Sequence, residues 1–286
     1  MVDIPDSPLP VFYHVPKNAG TYVTNLSLLY FRGYRRTETD WNDYGYETIK
    51  NIELLNEHGT VARLLCGDPK NICIEDPVLQ NNPHDKSHHT VSYLDTSKTC
   101  IKDLVLFQII IEDAGFHLGD DILHQLRNSR TPEQWIILRE PFSRSVSWYS
   151  YVTSSVSAHE PLHQYVTTSF VKYIESPIFE SNWVMRKLVG VPDDQDFTEK
   201  DYKHAIAKLD KFNVYDITHV DEMVDEMFKS CYNIDRHSFP PSAEPPSRNQ
   251  NPVKDKIKFE DLSKRIQEMY VEKTYWDRKL WERYCK

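Results

Sequence analysis

Two short stretches combine residue types that hold anions. The first, Pro16-Lys17-Asn18-Ala19-Gly20-Thr21, lies between an apolar, β-rich run (Pro10–Val15) and a run with helical spacing (Thr21–Phe31). A helix that opens directly after such a loop presents unpaired amides and the positive end of its dipole. Gly20 allows close backbone approach to an anion, and Lys17 adds a mobile positive charge. Thr21 and Tyr22 take the first helical positions, where amides lack an intrahelical acceptor. Taken alone, the stretch reads equally as an ordinary turn with a surface lysine. It is not a Walker A loop, because G-x-x-x-x-G-K-[ST] is missing. No acidic strand end supplies the Mg²⁺ ligands that an ATP or GTP phosphotransferase needs.

The second stretch runs from Trp135 to Ser147. Arg139 follows the buried-strand pattern Trp135–Leu138, at a carboxyl end where parallel sheets bind ligands. Ser147 falls in the opening turns of the helix expected over Phe142–Val156, eight positions after Arg139. A guanidinium and a hydroxyl so placed hold a second phosphate through charge-assisted bonds.

At this point the chain resembles a known family. HVPKNAGTYVTN is similar to the 5′-phosphosulfate loop of sulfotransferases that use 3′-phosphoadenosine 5′-phosphosulfate (PAPS). ILREPFSRSVSWY is similar to their 3′-phosphate segment, with Arg and Ser at the same spacing. Among these the chain most resembles carbohydrate O-sulfotransferases of the heparan sulfate 2-O (uronosyl) type. The segments ITHVDEMVDEMF and FEDLSKRIQEMYVEKTYWDRKLWERYC extend the likeness, which spans residues 10–32 and 104–285 and is strong only at the two phosphate motifs.

The resemblance implies PAPS as donor, PAP (the 3′,5′-bisphosphate) as product and no metal. It implies a 5′ subsite of Lys17, Asn18, Ala19, Gly20, Thr21 and Tyr22, and a 3′ subsite of Arg139 and Ser147. Ser247 and Arg248, in the proline-rich loop before the last helix, are further 3′-phosphate candidates, at even weight with a plain surface loop. An acceptor hydroxyl needs a base to take its proton. Of twelve histidines, His117 stands 22 positions before Arg139, as the family's base does from its matching arginine. The local pattern departs, with Phe116-His117 where the family has Gly-His. The remaining histidines read as structural or polar-loop residues. Asn182-Trp183 and Arg186 resemble a family segment, in which Trp183 reads as a helix-core residue, with a place lining the adenine or acceptor pocket as the alternative. The resemblance implies an acceptor hydroxyl on a saccharide. Two alternatives stay open: a nucleotide or sugar kinase, and a non-catalytic nucleotide-binding relative.

Alternating strand and helix patterns position these groups. They predict an α/β fold, a P-loop-like and mainly parallel sheet flanked by helices on both faces, in one domain over residues 1–286. Asp103–Ile111 and Val214–Ile217 read as further strands. Leu162–Ile174, Phe179–Leu188, Thr198–Lys211, Val220–Cys231 and Phe259–Tyr284 read as helices. Residues 35–100 form an irregular insertion of loops, short helices and an edge strand, a candidate acceptor region.

The formal net charge is −9, which argues against nucleic acid as partner. A densely sulfated glycan requires local clustering of Arg32, Arg35 and Arg36, or of Lys254, Lys256 and Lys258. Five cysteines without a C-x-x-C pair give no zinc spacing. MVDIPDSPLP lacks a basic n-region and an apolar h-region, and no apolar run approaches the ~20 residues of a membrane helix. These features predict a cytoplasmic enzyme without a transmembrane segment, with the lumenal domain of a Golgi-anchored parent as the alternative.

Overall fold

The computed structural model describes residues 8–15, 18–19, 22–23, 61–65, 91–95, 109–113, 127, 130–154, 169–191, 195–233 and 257–285. They form an α/β fold whose strands β1 (Leu9–His14), β2 (Val61–Leu65), β3 (Val91–Asp95), β4 (Ile109–Asp113) and β5 (Pro132–Leu138) pair in parallel, in the order β3-β2-β4-β1-β5. The chain divides into two compact units. The first holds Met1–Val15, Ala19–Ile137 and Thr218–Ser247; the second holds Pro16–Asn18, Leu138–Ile217 and Arg248–Lys286. The chain passes between them repeatedly, so no linker marks a boundary in the sequence.

In the first unit, β1 is flanked by β4 and β5, with Val11 opposite both Ile110 and Gln134. Leu9, Val11, Phe12 and Tyr13 are all buried. A strand covered on both faces has no polar alternation, which is why LPVFYH reads as a continuous apolar run. Trp135, Ile136 and Ile137 give β5 the same character, and Pro132 takes its first position, where a missing N–H is tolerated. Helix α5 (Val220–Tyr232) packs on β1. Its buried stripe is Val220, Met223, Val224, Met227, Phe228 and Cys231, at helical spacing along one face.

The second unit contains helices α1 (Pro141–Ser154), α2 (Phe170–Glu175), α3 (Trp183–Val189) and α4 (Glu199–Leu209), strand β6 (Asn213–Asp216), and helices α6 (Lys264–Lys273) and α7 (Tyr275–Cys285). Pro141 opens α1 at the one helical position that suits it. The core joins α1, α2 and α6 through Phe142, Val146, Phe170, Tyr173, Ile266 and Tyr270. Phe142 meets Phe170, Phe259 and Tyr270 edge-on at 5.6, 5.3 and 5.4 Å, the arrangement that ring quadrupoles favour.

Four expectations need correction. The strand expected over Asp103–Ile111 is described from Ile109 and continues to Asp113, while residues 103–108 lie outside the described residues. A continuous helix over Leu162–Ile174 does not form. Ser169 is extended (φ −177°), and its hydroxyl accepts from the Lys172 amide, so α2 starts at Phe170. The helix expected from Phe179 starts at Trp183, because Asn182 is left-handed (φ 47°).

The closing helix over Phe259–Tyr284 is three pieces: a 3₁₀ turn at Phe259–Asp261, then α6 and α7. At the break, the Thr274 amide and hydroxyl both donate to the Tyr270 carbonyl, at 3.0 and 2.8 Å. The Asn182 side-chain oxygen then accepts from the amides of Trp276 and Asp277, giving α7 its own N-terminus. Within residues 35–100, two strands are described. β2 lies between β3 and β4, and β3 ends the strand order.

Candidate phosphate-binding site

The strand register aligns the strands that precede the two candidate phosphate motifs and the segment holding His117. β4, β1 and β5 are parallel neighbours, so their carboxyl ends share one sheet edge, with His14 opposite Asp113 and Tyr13 opposite Ile136. In the sequence, β1 is followed by the Lys17 loop, β5 by Arg139 and β4 by the segment holding His117. Lys17, Gly20, Thr21, His117, Ser247 and Arg248 lie outside the described residues.

Of the loop, Asn18 is fully buried and Ala19 is left-handed at φ 63°. The Val23 amide donates to the Ala19 carbonyl at 2.9 Å, the i to i−4 bond with which a helix begins. Tyr22 and Val23 are helical and buried. The Tyr22 hydroxyl donates to Asp221 Oδ1 at 2.5 Å.

Arg139 is 7% exposed, and its Nε donates to Ser143 Oγ at 3.0 Å. Burial lowers its pKa to about 10; Arg144 pushes the same way, and Glu140 and Asp216 push back. The side chain therefore remains a cation at neutral pH. Ser143 and Ser147 lie on one face of α1, four residues apart, and Ser147 is buried at 7% exposure. Glu140 caps α1 from within the chain: its carboxylate accepts from the amides of Phe142 at 3.0 Å and Ser143 at 2.7 Å. The first-turn amides of α1 are thus already engaged, so an anion at Arg139 meets side chains rather than this helix end.

Sequence reasoning missed a buried polar cluster in the second unit. Arg144, at 4% exposure, pairs with Glu180 at 3.1 Å and lies over the Trp183 ring. Asp277 accepts from the amides of Val184 at 3.2 Å and Met185 at 2.8 Å, capping α3 from a distant part of the chain. Burial raises the Asp277 pKa, against the pull of Arg144 and of the two amides. Asn182 before α3 caps α7, and Asp277 in α7 caps α3, a reciprocal arrangement that no local motif announces. Arg186 donates to the carbonyls of Ser181 and Gln195 and lies 4.6 Å over Phe197. It borders an open cavity of about 840 Å³ that also meets Lys264, Glu268, Glu272 and Trp276. Trp183, at the first position of α3, is not among the residues lining that cavity.

Comparison with known proteins finds no matching family model, no matching curated protein and no matching solved structure. Among the described residues, no helix is long and apolar enough to cross a membrane.

Proposed function

We propose that this chain is a PAPS-dependent O-sulfotransferase with a P-loop-like core, acting on an acceptor hydroxyl, with a saccharide as the acceptor class. The observation that carries this reading is the shared edge of β4, β1 and β5. Three adjacent parallel strands are followed in the sequence by the candidate base, the candidate 5′ loop and the candidate 3′ arginine. Ligands of parallel α/β sheets bind at such carboxyl edges.

The chemistry assigned to these groups is in-line displacement at sulfur. The acceptor oxygen forms a new S–O bond as the bond from sulfur to the donor's phosphate oxygen breaks. His117 takes the hydroxyl proton. Lys17 and the amides at the start of the following helix stabilise the charge growing on the departing phosphate. Arg139 and Ser147, with Ser247 and Arg248 from the later loop, hold the 3′-phosphate and set the donor's register. The buried, cationic Arg139, held by Ser143, suits a fixed phosphate contact.

A thermal-shift comparison tests this. PAP at about 100 times its Kd is expected to add about 2.7 kcal/mol of stability, a rise of about 4–5 °C for a chain of 286 residues. ATP-Mg²⁺ is expected to leave the melting temperature unchanged. A shift with ATP-Mg²⁺ and none with PAP supports the kinase reading instead. No shift with either supports a non-catalytic relative that keeps the fold as a scaffold and binds neither nucleotide.

A further inference from the structure

We propose that Asp221 is a positioning residue for the phosphate loop, acting through the hydroxyl of Tyr22; this rests on the donor-binding reading above. Tyr22 stands at the start of the helix that follows the loop, one residue before the Val23 amide that bonds to Ala19. Its side chain is 8% exposed, and its hydroxyl reaches Asp221 Oδ1 at 2.5 Å across 199 positions of sequence. Asp221 belongs to the first turn of α5, whose start is fixed beside it by the buried Val220. The buried stripe of α5 packs on β1, the strand that leads into the loop.

The connections close a frame. β1 leads into the loop, the loop ends in the Tyr22 turn, and Tyr22 is tied to α5, which lies on β1. Apolar packing sets the distance of the helix opening from this frame, and the Tyr22–Asp221 bond adds direction. A charge-assisted hydrogen bond is directional. It fixes how the amides at the helix start are aimed, and an anion site built from backbone amides depends on that aim. Asp221 touches the loop's support and not the donor, so its effect is on donor affinity through geometry.

PAP affinity of the full chain, measured by calorimetry well below each variant's melting temperature, tests this. Tyr22→Phe and Asp221→Ala are each expected to weaken PAP binding about 5- to 30-fold, a loss of roughly 1–2 kcal/mol. The double variant is expected to be no weaker than either single one, because both remove the same bond. Asp221→Asn keeps an acceptor oxygen and is expected to restore affinity to within about 3-fold of the unaltered chain. Tyr202→Phe removes another tyrosine bond, to the Lys279 carbonyl at 3.3 Å. It is expected to alter stability while leaving PAP affinity unchanged. If the unaltered chain binds PAP and Tyr22→Phe binds it equally well, the positioning role is wrong and the donor reading stands. Additive losses in the double variant also overturn the role. If the unaltered chain does not bind PAP, both fall together.

Discussion

Ala19 carries a backbone conformation that its residue type does not favour. At φ 63°, a side chain with a Cβ crowds the following carbonyl, at a cost of roughly 1–2 kcal/mol. The sequence directs attention to Gly20 for conformational freedom, yet the left-handed residue described in the loop is Ala19. Strain of this kind persists only where the surroundings over-determine it. Here the Ala19 carbonyl is committed to Val23, and Asn18 beside it is fully buried.

Lys17, His117 and Arg139 stand out in the sequence as candidates because charge chemistry restricts the choice. The contacts of described residues do not: Ser143 on Arg139 and Asp221 on Tyr22 follow from folded geometry. At this scale the prediction concerns chemistry. His117→Ala is expected to lower transfer of labelled sulfate by about 10²–10⁴-fold with PAP affinity retained, as loss of a general base requires. Lys17→Ala is expected to lower both transfer and PAP affinity. Unchanged transfer in both variants removes the assignment.

β1, β5 and the single helices follow from patterning, whereas β2 and β3 lie in the segment expected to be irregular with one edge strand. β1 and β5 are apolar runs, and α5 shows its buried stripe at the expected spacing. Helix ends in the second unit follow other rules. Periodicity continues through Thr274, but the helix does not, because Asn182 supplies a cap for a new N-terminus there. The α3 start is likewise set by Asp277. Both caps reach across more than ninety positions, so no window of sequence contains them.

These bonds are in buried surroundings, where an unpaired amide is costly. Asp277→Ala is therefore expected to destabilise the chain by about 1–3 kcal/mol, and Asn182→Ala by about 1–2 kcal/mol, in urea unfolding at neutral pH. Because the Asp277 amide itself donates to Asn182, the two caps form one network, and the loss in the double variant is expected to differ from the sum of the single losses by at least about 0.5 kcal/mol. A loss below about 0.5 kcal/mol for Asp277→Ala shows that the cap is dispensable.

For the whole molecule, the balance of 34 basic against 43 acidic side chains sets long-range behaviour. A net charge of −9 repels polyanions on close approach, within the screening length of about 8 Å at physiological salt, beyond which the repulsion is largely screened. The proposed PAP recognition does not depend on that balance, because the proposal assigns it to local groups such as the buried Arg139. The chain is therefore expected to leave a heparin column at or below about 0.15 M salt while still binding PAP. Retention beyond about 0.3 M salt shows that the arginines at 32, 35 and 36 or the lysines at 254, 256 and 258 gather into one basic surface.

By itself the sequence determined the α/β class, the strand that leads into the lysine loop, and the residue types able to hold two phosphates and accept a proton. Those features are local: apolar runs, helical spacing and charge at strand ends are written in consecutive residues. The tertiary structure decided the neighbour order β4-β1-β5 and hence which strand ends share an edge. It also decided the engagement of Tyr22 by Asp221 and the exchange of caps between Asn182 and Asp277. Each joins residues far apart in the chain, and the orientation of such bonds is set by packing rather than by any local preference.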